Sequence, residues 1–278
     1  MTILVTGGRG HVARGVVEQL LERTDRVRVA TRDASALRPP AGVEVVEADL
    51  TRPETLPAAL DGVEKVFLYA DPQGIDAFTK AAGEAGVRHI VLLSASPVTA
   101  ANPDLNPLAR MHRSAERVLL DSGLAWTFLR PATFATNTLQ WAASIRDEGV
   151  VRAPYPEAHN DAIHEADIAA VGVRALTEPG HEGRAHLLTG PVSITQRQQV
   201  EAIAKATGRP VEFVELQPDE YRRTLSKWGS DELVDQLLRY LSEQDGIPMP
   251  TVNTVELLLG RPARTFAEWA ADHADDFR

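Results

Sequence analysis

The stretch ILVTGGRGHVARGVVEQL, residues 3 to 20, limits what this chain can fold into more than any other segment. A short β-branched run reaches a cluster of glycines. Apolar residues then recur at Val12, Val16, Val17, Leu20 and Leu21 with helical spacing. The turn reads as Gly8-x-Gly10-x-x-Ala13 and equally as Gly7-x-x-Gly10-x-x-Ala13. A strand that turns straight into a helix needs residues without a bulky Cβ, so that backbone N–H groups can approach a pyrophosphate at the positive helix end. Ala13 allows close packing of that helix on the strand. A glycine-rich turn that binds nothing would read alike, but the flanking strand and helix favour a dinucleotide loop built from Gly7, Gly8, Arg9, Gly10, His11 and Val12.

Strand and helix patterns continue to alternate. Val27–Val29, Val43–Val46, Val66–Tyr69 and Ile90–Leu93 read as strands, with helical patterns at about 53 to 60, 74 to 86 and 105 to 122. Such alternation predicts a parallel sheet covered on both faces through right-handed crossovers. AWTFLRP, from Ala125 to Pro131, is a sixth strand. Beyond it the alternation lapses: TFATNTLQWAASI reads as helix, VRAPYPEAHND as a proline-bearing loop, and HEADIAAVGVRALTE as helix with Asp167 near its start. Short strands are expected at 186 to 190 and 211 to 216, and helices over 196 to 208 and 219 to 241. The expected architecture is α/β: a Rossmann-type doubly wound parallel sheet with a smaller C-terminal α/β substrate lobe. Residues 1–130, with 161–190 returning to them, form the NAD(P)-binding domain, and 131–160 with 191–278 form the lobe.

Twenty-nine basic against thirty-nine acidic side chains leave a net charge of −10, which repels phosphate backbones and anionic lipid. Neither nucleic acid nor membrane is an expected partner. The chain has no cysteine, which excludes disulfides, thiolate metal sites and a cysteine nucleophile. MTILVTGG opens as a strand and not as a signal peptide, and no apolar run approaches a spanning helix, so a cytoplasmic protein is expected, as a monomer or homodimer.

Cofactor type is read from VRVATRDAS. An acidic residue at the end of the second strand would hold a ribose diol; Arg32 stands there first, with Asp33 after it, and a guanidinium suits a 2′-phosphate. NADP(H) is therefore expected over NAD(H), with a solvated loop cation as the other reading of Arg32. Asp49 and Leu50, after the third strand, stand where adenine is commonly contacted, although Asp49 equally suits a helix start. Tyr69 and Ala70, ending the fourth strand, complete this side of the expected site.

TGGRGHVA, TRD, VEADL, VLLSAS, GLAWTFLRP, HEADIAA and HLLTGP, in this order, resemble the NmrA-like, atypical branch of the short-chain dehydrogenase/reductase superfamily, and in particular its quinone oxidoreductase and triphenylmethane reductase group. The resemblance spans nearly the whole length. It implies an NAD(P)H-dependent oxidoreductase, with Ser94 and Pro131 beside the nicotinamide and Phe134 and Asn137 toward the substrate, although Ser94 equally suits a turn; Tyr155 and Trp228 are candidates for an aromatic pocket at the substrate, with surface or core packing as the other reading of each. Most of that superfamily carries Tyr-x-x-x-Lys on the helix after the fifth strand. Aligning Glu116 with the glutamate that commonly follows puts Leu108 at the tyrosine and His112 at the lysine. His112 is thus the one catalytic candidate, contacting the nicotinamide ribose and relaying a proton, or else a structural histidine paired with Glu116 one turn away.

Reducing a simple ketone builds an alkoxide whose conjugate acid has a pKa of about 16, close to that of water. Reducing a quinone places the charge on a phenolate-like oxygen, with a conjugate acid near about 10. That gap of roughly 6 units is about 8 kcal/mol of proton affinity, which makes a dedicated acid dispensable once cofactor and acceptor are held in contact. The functional expectation is hydride transfer from NADPH to a quinone or similar conjugated small molecule. A non-catalytic NAD(P)-sensing regulator of the NmrA type is the alternative. A hydrolase built on Ser94 and His112 lacks a G-x-S-x-G elbow, and His159, His164, His181 and His186 lack the spacing of a metal site.

Overall fold

The structure, a computed structural model, describes residues 1–24, 26–69, 73–225 and 230–278. The chain opens with β1 (Thr2–Val5), α1 (His11–Leu21), β2 (Val27–Thr31), β3 (Val43–Glu47), α2 (Leu56–Leu60), β4 (Val63–Tyr69), α3 (Ile75–Glu84), β5 (His89–Leu93), α4 (Pro107–Asp121) and β6 (Ala125–Pro131). A 3-10 segment at Ala135–Trp141 leads into α5 (Ala142–Glu148), β7 (Val150–Ala153) and β8 (His159–Asn160), followed by α6 (Glu165–Thr177) and β9 (Arg184–Leu188). The remainder is β10 (Ile194–Thr195), α7 (Gln196–Thr207), β11 (Glu212–Glu215), α8 (Pro218–Leu225), α9 (Asp231–Glu243), α10 (Thr254–Leu259) and α11 (Phe266–Asp272). Two compact units result: Met1–Pro131 with Glu165–Leu188, and Ala132–His164 with Thr189–Arg278.

In the first unit, seven strands of the described residues form one parallel sheet in the order β3-β2-β1-β4-β5-β6-β9. Strands covered on both faces should be apolar without alternation, and Ile3, Leu4, Val5, Ile90, Val91 and Leu92 are all fully buried. Chain order reverses between β1 and β4, the point at which doubly wound sheets open a crevice at their carboxyl ends. Two small residues set how closely α6 packs: a Cβ on Gly15 of α1 would lie 3.1 Å from Ala169, and one on Gly172 would lie 2.8 Å from the Phe67 ring. Pro107 opens α4, and the Asn106 side chain accepts from the N–H groups of Leu108 and Ala109 at 2.9 and 3.2 Å, which sets the register of LARMHRSAE.

Three histidines cluster at the other ends of these strands. His89 Nε2 donates to Thr127 Oγ1 at 2.9 Å, and Thr127 donates in turn to the carbonyl of His181 at 2.6 Å; His181 Nδ1 lies 3.3 Å from His186 Nε2. His89 Nδ1 is buried without a partner, so a second ring proton would have no acceptor. Among the described residues no group of three or more His, Asp or Glu could hold a metal ion. Burial, reinforced by Lys65 and His181 against Glu182, pushes the His89 pKa down to about 4, and burial also lowers those of His181 and His186. Because the folded state prefers neutral rings, their contribution to stability is complete above the ordinary histidine pKa of about 6.5 and is lost as pH falls toward 4. The melting temperature should therefore decline over that window, and His89→Gln should flatten the decline. Equal slopes for both proteins in scanning calorimetry would remove the histidines as its cause.

The second unit holds two small sheets, β7 with β11 in parallel and β8 with β10 antiparallel. This corrects the sequence reading of VRAPYPEAHND as a loop. The prolines do stop a strand, since β7 ends at Ala153 just before Pro154, but Val150–Ala153 and His159–Asn160 find partners far along the chain that no local pattern reveals. The segment after Phe134 is likewise 3-10 before it becomes α-helical at Ala142. Capping boxes at Thr195/Gln198 and Thr265/Glu268 start α7 and α11. The core gathers Ile145, Val151, Ile203, Trp269 and Phe277. No described helix is long and apolar enough to cross a membrane.

Candidate functional site

The crevice lies at the carboxyl ends of β1, β2 and β4 in the first unit. Thr6 ties the loop to β4: its N–H donates to the Phe67 carbonyl at 2.9 Å, and its Oγ1 accepts from the Tyr69 N–H at 2.8 Å. Gly7 takes the left-handed conformation, φ 69°, and Gly10 N–H closes the turn on the Gly7 carbonyl at 2.8 Å. A Cβ on Gly7, Gly8 or Gly10 would lie 2.7 Å from the Tyr69 ring, 2.3 Å from Val29 Cγ1 and 2.8 Å from the Tyr69 hydroxyl. Gly7 therefore needs glycine for its conformation, and Gly8 and Gly10 need it for space. Gly10 is also the N-cap of α1 and supplies no side-chain cap, so the positive end of this helix opens on the loop. Arg9 and His11 are exposed, whereas Val12 is buried and only its backbone can face a ligand.

Thr6, Gly7, Gly8, Arg9 and Gly10 line a crevice of about 330 Å³ together with Thr31, Arg32, Asp49, Leu50 and Tyr69, whereas the expected His11 and Val12 fall outside its lining. Asp49 Oδ1 accepts from the Thr51 N–H and hydroxyl at 2.9 and 2.7 Å. These two bonds, with a smaller contribution from the charge of Arg32, hold its carboxyl below the usual range, so the turn-starting role of Asp49 is realised. Asp33 does similar work, accepting from the Ser35 N–H and hydroxyl at 2.9 and 2.6 Å. Ala70 lies outside the described residues.

Farther along the sheet edge, Glu116 of α4 binds two partners at once. Its Oε1 accepts from the Ser94 hydroxyl at 2.6 Å and from Arg130 Nε at 2.9 Å, while Oε2 accepts from Arg130 Nη2 at 2.7 Å. The alternative reading of His112, a structural pairing with Glu116, is thereby corrected. One turn of helix makes them neighbours, but the fork of a guanidinium matches both carboxylate oxygens and prevails. Glu116 acts on His112 through its charge alone, and burial outweighs that charge to lower the imidazole pKa. His112 Nδ1 is buried without a partner, and Leu108 keeps 42% of its surface exposed. Ser94 is fixed by its N–H on the Leu129 carbonyl at 2.8 Å, and its proton is committed to Glu116. Pro131 ends β6, buried opposite Leu188. Sequence reasoning missed Arg130; its signal was a lone cation at the end of an otherwise apolar strand.

Phe134, Asn137 and Tyr155 belong to the second unit. Phe134 bridges to Ile163, and the Asn137 N–H donates to the Phe134 carbonyl at 3.0 Å with its side chain exposed. Tyr155, between two prolines, has φ 56°, a strained value for a bulky residue. Its carbonyl is held by the Ala158 N–H and by Gln196 Nε2, each at 2.9 Å. Trp228 lies outside the described residues.

A parallel sheet that reverses at β1, with a glycine turn opening a helix at that point, defines a dinucleotide-binding protein, and the glycine cradle and open helix end fit a pyrophosphate. Comparisons with known proteins agree. Residues 7–179 match the NAD(P)H-binding family, to which the chain belongs. It is 42% identical to the (4-alkanoyl-5-oxo-2,5-dihydrofuran-3-yl)methyl phosphate reductase of Streptomyces griseus subsp. griseus and 37% identical to the NAD(P)H azoreductase of Xenophilus azovorans, covering 99% of both chains in each case. The NADPH complex of a quinone oxidoreductase from Escherichia coli superposes with a TM-score of 0.79 at 27% identity, over 98% of this chain and 99% of that one. The protein is an NAD(P)H-dependent oxidoreductase, as its resemblance to the NmrA-like reductases implies.

Proposed function

We propose that the protein reduces a quinone or similarly conjugated small molecule with NADPH, and does so without the Tyr-x-x-x-Lys pair. The observation that carries this reading is the register of α4, in which an exposed hydrocarbon, Leu108, stands at the tyrosine position and His112 is half-buried. When bound, a reduced nicotinamide supplies the hydride. The chain's own residues then have to bind, orient and keep the site in one protonation state. The glycine loop and the start of α1 are suited to the pyrophosphate, and Ser94, its proton held by Glu116, presents lone pairs only. His112 would meet the nicotinamide ribose as a neutral imidazole, and Phe134, Asn137 and Tyr155 are the proposed acceptor contacts.

The relatives' names support the acceptor class. An acyl dihydrofuranone, an azo compound and a quinone all store an arriving negative charge by resonance. Purified protein should oxidise NADPH, followed at its own absorbance band, when given 2-methyl-1,4-naphthoquinone, an azo dye or a cyclic enone. No consumption with any of them would refute the proposal.

The preference for NADPH rests on Arg32 at the crevice and on Asp33, whose Oδ1 is already engaged by Ser35. A charge-assisted bond to a 2′-phosphate contributes about 1.5–3 kcal/mol, so Arg32→Ala should weaken NADPH by roughly 10- to 100-fold and NADH hardly at all. Equal losses in calorimetric titration would remove Arg32 from cofactor choice.

A further inference from the structure

We propose that Tyr69 is a phosphate ligand of the dinucleotide site, its phenolic O–H donating to an oxygen of the pyrophosphate. The proposal rests on the reading of this crevice as the NADPH site and adds a side chain that the glycine pattern does not predict. Tyr69 is the last residue of β4, the strand beside β1, and its ring stands edge-on to Phe67 with centroids 6.2 Å apart. Held there, the ring lies across the glycine turn. A Cβ on Gly7 would come within 2.7 Å of its Cδ2, and one on Gly10 within 2.8 Å of its hydroxyl. The turn is thus shaped around a phenol as well as opened for an anion, which gives two of its glycines a second cause.

The position of the hydroxyl gives the inference its direction. The backbone N–H of Ala13, in the first turn of α1, approaches the phenol oxygen. Gly10 offers that turn no side-chain cap, so the phenol stands at the positive helix end where an acidic or hydroxyl cap is usually found. A phenol that accepts at its oxygen still has a proton to give, and the Tyr69 O–H donates to none of the described residues. Burial pushes the Tyr69 pKa up to about 12, so the group remains a neutral donor at any physiological pH. An anion drawn to the start of α1 would meet this O–H together with the loop amides.

The test compares adenosine 2′,5′-bisphosphate, which carries the 5′-phosphate of the dinucleotide, with adenosine 2′-monophosphate, which lacks it. Tyr69→Phe keeps the ring over Gly7 and Gly10 and removes only the hydroxyl. Titration calorimetry should show the bisphosphate weakened on the order of 10-fold in the variant, as for loss of one charge-assisted hydrogen bond, with the monophosphate unchanged. The monophosphate also reports whether the variant has folded. Unchanged bisphosphate affinity would reduce Tyr69 to packing, and tighter binding would make its phenol an occluding group; either result overturns the proposal. A wild-type protein that binds neither nucleotide would instead overturn the reading of the crevice on which it rests.

Discussion

Supplied with NADPH, the protein should turn over 2-methyl-1,4-naphthoquinone about 10⁴-fold faster than cyclohexanone, the upper end of what a positioned general acid contributes. The ratio follows from the proton inventory of the site. Leu108 has no proton to give, Ser94 has committed its own to Glu116, and burial lowers the pKa of His112. A ketone would leave its alkoxide without a donor, whereas a quinone leaves an oxyanion that water can protonate later. Steady-state rates with the two acceptors measure the ratio directly. The quinone rate should also be level from pH 6.5 to 8, because the imidazole titrates below its ordinary value of about 6.5. Comparable rates for the two acceptors would mean that an acid is present which α4 does not reveal.

Removing the carboxylate beneath Ser94 should have the largest effect on stability. Glu116→Ala leaves the Arg130 guanidinium without its counter-charge and the Ser94 hydroxyl without an acceptor. Breaking a buried pair from one side costs about 3–5 kcal/mol. The lower value applies here, because the Glu116 side chain keeps 7% exposure but Arg130 keeps 25%. At roughly 2–4 °C per kcal/mol in a domain of this size, the melting temperature should fall by roughly 6–12 °C. Replacing both partners together, Glu116→Leu with Arg130→Met, should recover most of that loss, since no unpaired charge then stays buried. A fall of under 2 °C for Glu116→Ala in a thermal melt would show the pair to be energetically idle.

The glycine loop, the six leading strands and the position of α4 were legible because each depends on spacing within some twenty residues: 2 for a strand, 3.6 for a helix, and small side chains at a turn. Arg130 and Glu116 lie 14 residues apart on a strand and a helix, and one helical turn offered His112 as an equally plausible partner for the glutamate. Val150–Ala153 read as loop because β11, its partner, begins at Glu212.

From its sequence alone this chain was committed to a doubly wound sheet with a dinucleotide loop and to an α4 that lacks a tyrosine, since those features are written in local periodicity and residue identity. The tertiary structure decided which side chains meet: that Glu116 serves Ser94 and Arg130, that three histidines share one cluster, and that Tyr69 lies across glycines some sixty positions earlier. Such meetings depend on the order in which strands enter the sheet, and in a crossover fold neighbours in space are seldom neighbours along the chain.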